Sequence, residues 1–253
     1  MRLFATSDLH TDYKENLRWL QELSDTAYRN DALIVAGDIS DRLEVIRETL
    51  LLLRTRFRHV LFTPGNHELW VRSAGHDSIE KLRQVLKLCE EIDVATTPQR
   101  LDNLWVVPLF SWYDGFLEAD KKNENSPRQV WADFHFCKWP ESTMPLPAYF
   151  LRMNEPNLKT YDAPVVTFSH FIPRPDLLPP KQYMRFNWLP SVSICADLDA
   201  QIRQLKSRVH VCGHTHTTFD RIIDDIRYVQ NAVRYPKERT ATSFPIKLIW
   251  DRH

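Results

Sequence analysis

The sequence predicts a layered α/β domain, and three observations carry that expectation. Short continuous apolar runs recur along the chain, each of the length of a strand buried on both faces. Segments of helical periodicity separate the early runs, and the last part of the chain alternates in hairpin fashion. Strand-helix alternation followed by late hairpins is the pattern of an α/β layered fold.

In chain order, residues 3–6 read as a first buried strand, followed by a helix through Leu17, Leu20 and Leu23. ALIVAGD (32–38) is a second strand closed by Gly37, and a Leu/Ile-rich helix follows over about 43–53. HVLF (59–62) is a third strand. Asp77, three residues ahead of Glu80, resembles a capping box and opens a helix to about Glu91. LWVVPLF (104–110), PVVTFSH (164–170) and RVHVCGH (208–214) are further buried strands, with a helix near 197–206 between the last two. Phe219, Ile222, Ile226 and Tyr228 alternate as an antiparallel pair, and FPIKLIW closes the pattern. The chain is expected to be a single domain over 1–253. Over about 111–161 periodicity fades into mixed aromatics, prolines and charges, which predicts an irregular insertion.

Lys+Arg and Asp+Glu balance at 33 each over 253 residues, so no global field favours a nucleic-acid polymer or an anionic membrane. No run approaches the ~18 apolar residues of a membrane span. The four cysteines are widely spaced and form no zinc knuckle or disulfide framework. MRLFATSDLH has too short an apolar run for a signal-peptide core, and the expected compartment is the cytoplasm.

Glycine is scarce, at 5 residues, yet Gly37, Gly65 and Gly213 each follow a predicted strand and each precedes polar side chains able to bind metal. SDLH supplies Asp8 and His10, GDISD supplies Asp38 and Asp41, and GNHE supplies Asn66 and His67. SH supplies His170, and GHTH supplies His214 and His216. All lie at carboxyl ends of strands, the edge where α/β sheets bind ligands. Oxygen and imidazole donors without thiolate suit Mn, Fe or Zn at a catalytic site. So many ligands predict two ions about 3.5–4 Å apart, an arrangement that clamps a phosphoryl group and activates water. There is no G-x-S-x-G motif and no partnered cysteine to suggest a covalent nucleophile. His59, His76, His135, His210 and His253 stand alone and read as packing or surface residues.

With D-x-H, GD-x-x-D, GNHE, a lone His and GH-x-H all present in order from Asp8 to His216, the chain resembles the calcineurin-like metallophosphoesterase superfamily. The resemblance implies a four-layer sandwich of two packed mixed β-sheets flanked by helices. It implies that Asp8, His10 and His216 hold one metal, that Asn66, His170 and His214 hold the other, and that Asp38 bridges them. By the same analogy His67 contacts phosphate or acts as general acid, oriented by Asp41, and two divalent or trivalent transition-metal ions are the cofactors. Arg42 extends GD-x-x-D as in the protein-phosphatase branch, though Leu43 stands where that branch has glycine. Arg174 and Arg185, in the proline-rich loop after His170, are further candidates to reach an anionic substrate. The implied activity is hydrolysis of a small phosphoester, with a cyclic-nucleotide or other small phosphodiesterase as the alternative. A nuclease needs a basic track that the charge balance does not favour. A catalytically silent scaffold would show eroded ligands.

Overall fold

A computed structural model describes residues 1–72, 76–115, 130–141, 145–184, 186–239 and 246–251. Two mixed sheets face each other. The first has four strands in the order β10-β1-β2-β3, formed by β1 (Leu3–Thr6), β2 (Ala32–Ala36), β3 (His59–Thr63) and β10 (Lys247–Trp250). The second has six, ordered β4-β5-β6-β7-β9-β8: β4 (Gln99–Leu101), β5 (Leu104–Pro108), β6 (Val165–Phe168), β7 (Ser207–Cys212), β8 (Phe219–Ile223) and β9 (Ile226–Gln230). β1, β2 and β3 run parallel, as do β5, β6, β7 and β9. The outer strands β10, β4 and β8 pair antiparallel.

The twofold period of a strand explains why these runs are apolar throughout. Leu3 and Ala5, Ile34, Leu61, Val106, Phe168, Val209 and Val229 point into one core between the sheets. Their neighbours point the other way. Phe4, Leu33, Val35 and Phe62 pack under α1 (Lys14–Gln21), α2 (Leu43–Arg56) and α3 (Ser78–Glu91), through Leu20, Ile46, Leu50 and Val85. Val107, Val165, Cys212 and Tyr228 meet Phe150, Leu198 and Ile202. Those three belong to α5 (Leu146–Met153) and α6 (Leu198–Gln204). The result is the four-layer sandwich.

Asp77 caps α3 as expected, accepting a hydrogen bond from the Glu80 amide at 2.8 Å. Two features were not announced by the sequence. β4 has no apolar run to announce it, since QRL is a short edge strand whose pairing with β5 alone defines it. The other is that the described parts of 111–161 include two short helices, α4 (Asp133–Phe136) and α5. Trp112 and Tyr113 enter the core beside Phe150, because large aromatic surfaces are costly to leave in water. Among the described residues, no helix is long and apolar enough to cross a membrane.

Candidate metal centre

The carboxyl ends of β1, β2 and β3 lie opposite those of β6 and β7, and the five ligand-rich turns meet there. Close approach of the two sheets depends on glycine. A Cβ on Gly65 would fall onto the Asp38 carboxylate and come within 2.8 Å of the His170 ring. On Gly213 it would lie 2.8 Å from the Ala36 carbonyl oxygen. Of these, only Gly37 also uses a left-handed backbone, with φ +81°. Gly65 is therefore there for space, and the turn it makes needs no positive φ.

Five of the donor residues carry the left-handed backbone instead. Asp8, His10, Asp38, His214 and His216 all have positive φ, between 42° and 71°. Such conformations cost about 1–3 kcal/mol each and persist where surrounding structure fixes them. At Asp38 that fixing comes from Glu68. Its buried carboxylate accepts from the amides of Asp38 (3.0 Å), Ile39 (2.6 Å), Ser40 (3.3 Å) and Gly65 (2.6 Å), binding the β2 and β3 turns together. Burial, then the neighbouring Asp38 charge, push Glu68 up to about 7.

Two groups of donors converge. In the first, His10 Nε2 and His216 Nε2 are 3.0 Å apart, with Asp8 Oδ1 3.6 Å from His216. In the second, Asn66 Oδ1 lies 3.0 Å from both His170 Nε2 and His214 Nδ1, which are 3.2 Å from each other. Asp38 Oδ2 sits 3.4 Å from His170 Nε2. Asp38 also forms a donor group with His10 and His67, so it belongs to both sides of the cluster.

The far nitrogens are occupied. His170 Nδ1 donates to the Ala36 carbonyl at 2.9 Å, and His214 Nε2 to the Val192 carbonyl at 2.8 Å. His216 Nδ1 meets the Glu238 carboxylate at 2.7 Å. These partners fix the tautomers so that the remaining ring nitrogens face one another, a state that a proton or a shared cation relieves. Burial and the adjacent His67 push His10 well below the usual histidine range; burial and His170 do the same to His214. Both are thus neutral and able to offer a lone pair. His170 moves the other way, up to about 9: burial opposes its charge, but Asp38 attracts and hydrogen-bonds it. Positive charge is favoured at this point. The donor set fits divalent metal ions.

Residues 1–218 match the model of the calcineurin-like phosphoesterase family. The chain belongs to that family. A relative in it, the acyl-carrier-protein phosphodiesterase PptH of Mycobacterium tuberculosis, is 31% identical over 262 residues, 93% of this chain and 78% of the relative. The crystal structure of phosphopantetheinyl hydrolase (PptH) from that organism superposes with a TM-score of 0.77 at 26% identity, covering 98% of this chain and 95% of that one. Another solved structure, 12% identical over 91% of this chain and 90% of its own, has a TM-score of 0.51 and shares the fold alone. As a calcineurin-like phosphoesterase, the chain is a hydrolase of phosphoester bonds.

The remaining expected residues are placed unevenly. His67 borders the cluster, its Nε2 3.9 Å from Asp38 Oδ2 and 3.5 Å from the Tyr235 hydroxyl, and its ring packs on Trp70. Asp41 does not reach it. The Asp41 carboxylate pairs with Arg72 instead, because the β2 turn carries it to the outer side of the loop. Arg42 is exposed and lies 3.3 Å from Asp12, away from the cavity that opens on the cluster. Arg174 is held by Asp176 (2.8 Å), Asp224 (3.0 Å) and Asp199 (3.5 Å), so its charge is consumed within the fold. Arg185 lies outside the described residues.

Sequence reasoning gave no role to Glu68, Asp133, Tyr235 or Glu238. Glu68 had a signal, as the acidic fourth residue of GNHE. Asp133, Tyr235 and Glu238 had none, since each reaches the cluster from a segment without a motif.

Proposed function

We propose that this chain hydrolyses a phosphodiester at a two-metal site, and that its substrate is a phosphopantetheinyl group on a carrier protein. One observation carries the reading: a cavity of about 280 Å³ opens directly onto Asp38, Asn66, His67, His214 and His216. Its other walls include Trp70, Trp131, Phe186, Leu189 and Tyr235. That volume is near the lower end, about 300 Å³, of small-molecule pockets. It suits the end of a phosphorylated arm better than a polymer backbone. The similarity to PptH supports the carrier-linked diester.

Asp8, His10 and His216 would hold one ion and Asn66, His170 and His214 the other, with Asp38 shared. When bound, the ions neutralise phosphate charge and acidify water. Nitrogen and oxygen donors favour manganese, iron or zinc. Water would add to phosphorus as the bond to the leaving oxygen breaks, and that oxygen must gain a proton. His67 is placed to give it, from a ring half-shielded by Trp70 and facing the cavity. Tyr235 beside it would steady the imidazole. Four free cysteines fit a reducing compartment such as the cytoplasm.

A second reading, hydrolysis of a small cyclic diester, draws on Trp70 and Trp131, whose rings could stack on a base. Metal-loaded protein assayed against phosphopantetheinylated carrier protein, cyclic nucleotides, an aryl diester and monoesters separates the two. The carrier-linked diester should exceed the cyclic nucleotides and monoesters in kcat/KM by at least about tenfold. Hydrolysis confined to monoesters would sink both readings.

A further inference from the structure

One carboxylate ties the aromatic-rich segment to the ligand cluster. Asp133, on α4 and only 2% exposed, accepts three hydrogen bonds from N–H groups. Through Oδ1 it receives Asn66 Nδ2 at 2.8 Å and Trp70 Nε1 at 2.7 Å; through Oδ2 it receives Trp131 Nε1 at 2.8 Å. From these contacts we infer that Asp133 is a positioning residue for metal binding, locking the Asn66 amide with its oxygen toward His170 and His214. The inference rests on Asn66 being a metal ligand.

The two ends of an asparagine amide have nearly the same shape, but only the oxygen offers a lone pair to a cation. Nothing in the shape of a cavity chooses between them; a hydrogen-bond partner must. An ionised carboxylate has no proton to give, so only the NH₂ end of Asn66 can face Asp133. A flipped amide would set its oxygen against the carboxylate and its NH₂ against the ring nitrogens of His170 and His214. The first contact would be unfavourable, and the second would turn N–H groups, which cannot coordinate a cation, toward the place where a metal would sit; one residue imposes the choice.

The same carboxylate fixes two aromatic walls. Trp70 packs on His67 with ring centroids 3.7 Å apart, so its bond to Asp133 also sets the surface behind that histidine. Trp131 lines the cavity and comes from the same segment as Asp133. The three N–H donors to Asp133, and the Tyr113 hydroxyl that also bonds it, are all neutral. Burying a carboxylate among neutral donors is costly, and an apolar residue would fill the space with less desolvation. A negative charge one residue behind a metal ligand recovers that cost when cations bind.

The test titrates the metal-stripped full chain with Mn²⁺ alone by calorimetry, with circular dichroism reporting the folded fraction. Asp133→Asn should weaken one of two sites by about 10–100-fold, and Asn66→Ala should weaken the same site at least as much. Combining Asn66→Asp with Asp133→Asn restores a donor facing an acceptor in reversed roles, and should return affinity to within about tenfold of the starting chain. Full affinity in Asn66→Ala would mean the ligand reading is wrong. Weakening in Asn66→Ala but not in folded Asp133→Asn would overturn the positioning role alone. If Asp133→Asn does not fold, the exchange variant decides: binding no better than Asn66→Ala also overturns it.

Discussion

His67 and Asn66 are adjacent in sequence and differ in surroundings. Asn66 is 3% exposed and its amide is bonded on both ends, whereas His67 faces the cavity from a short 3₁₀ turn over His67–Leu69. Only the histidine can carry a proton to a leaving group. His67→Ala should therefore retain metal content near normal while kcat falls by about 10²–10⁴-fold. The loss should shrink for an aryl leaving group, whose oxygen needs little protonation. His10, Asp38 and His67 also lie close enough to share an ion, so metal analysis of the variant is the sharp measurement. Loss of one equivalent would make His67 a ligand. Asp41 has no part in this prediction, since Arg72 holds its carboxylate.

At the scale of the element, β6 and β7 carry a histidine that the site does not use. His210 is fully buried between Thr167 Oγ1 at 2.8 Å and Ser169 Oγ at 3.1 Å. The Ser169 hydroxyl donates onward to the Phe171 carbonyl, so His210 Nε2–H donates to Ser169 and Nδ1 accepts from Thr167. The neutral ring is thereby satisfied at both nitrogens. Burial holds it down at about 3, against 6.5 for an ordinary histidine. The unfolded chain therefore binds the extra proton first, and stability falls as pH drops from 6.5 toward 3 by up to about 1.4 kcal/mol per pH unit. His210→Gln should remove that part of the slope. Urea unfolding of both proteins between pH 4 and 7 checks it (about ±10–15% in extrapolated stability), and parallel slopes would refute it.

Across the whole molecule, the cluster exists only because the two sheets meet. β1, β2 and β3 bring Asp8, His10, Asp38 and Asn66; β6 and β7 bring His170, His214 and His216. Backbone contacts seal the junction, including the His214 amide to Asp8 Oδ1 at 2.8 Å. Asp38 forms one donor group with His10 and His67 and another with His170 and His214, although burial opposes its charge; His170 and His67 hold it well below the usual carboxylate range. Metal analysis of the purified chain should find about two transition-metal ions, and Asp38→Ala should weaken both sites together. Retention of one full-affinity site in Asp38→Ala would contradict a shared ligand.

What the sequence determined by itself was the set of turns. Apolar strands ending in Gly37, Gly65 and Gly213, each followed by oxygen or imidazole donors, announced the fold and the ligands because strand burial and turn chemistry are local. Partnership was not local. Asp41, one turn from Asp38 and close to His67 in motif, went to Arg72. Arg174, in the loop after His170, was paired with Asp176 two residues on and also with Asp199 and Asp224, more than twenty residues away. Asp133 reached Asn66 across 67 positions from a segment with no periodicity, and Glu238 reached His216 from a 3₁₀ turn after β9. Side-chain hydrogen bonds and ion pairs act over about 3 Å, and which groups come that close is set by sheet packing rather than by sequence spacing. The donor residues of the cluster were therefore legible in the motifs, while the residues bonded to those donors and the shape of the cavity were decided only by the tertiary fold.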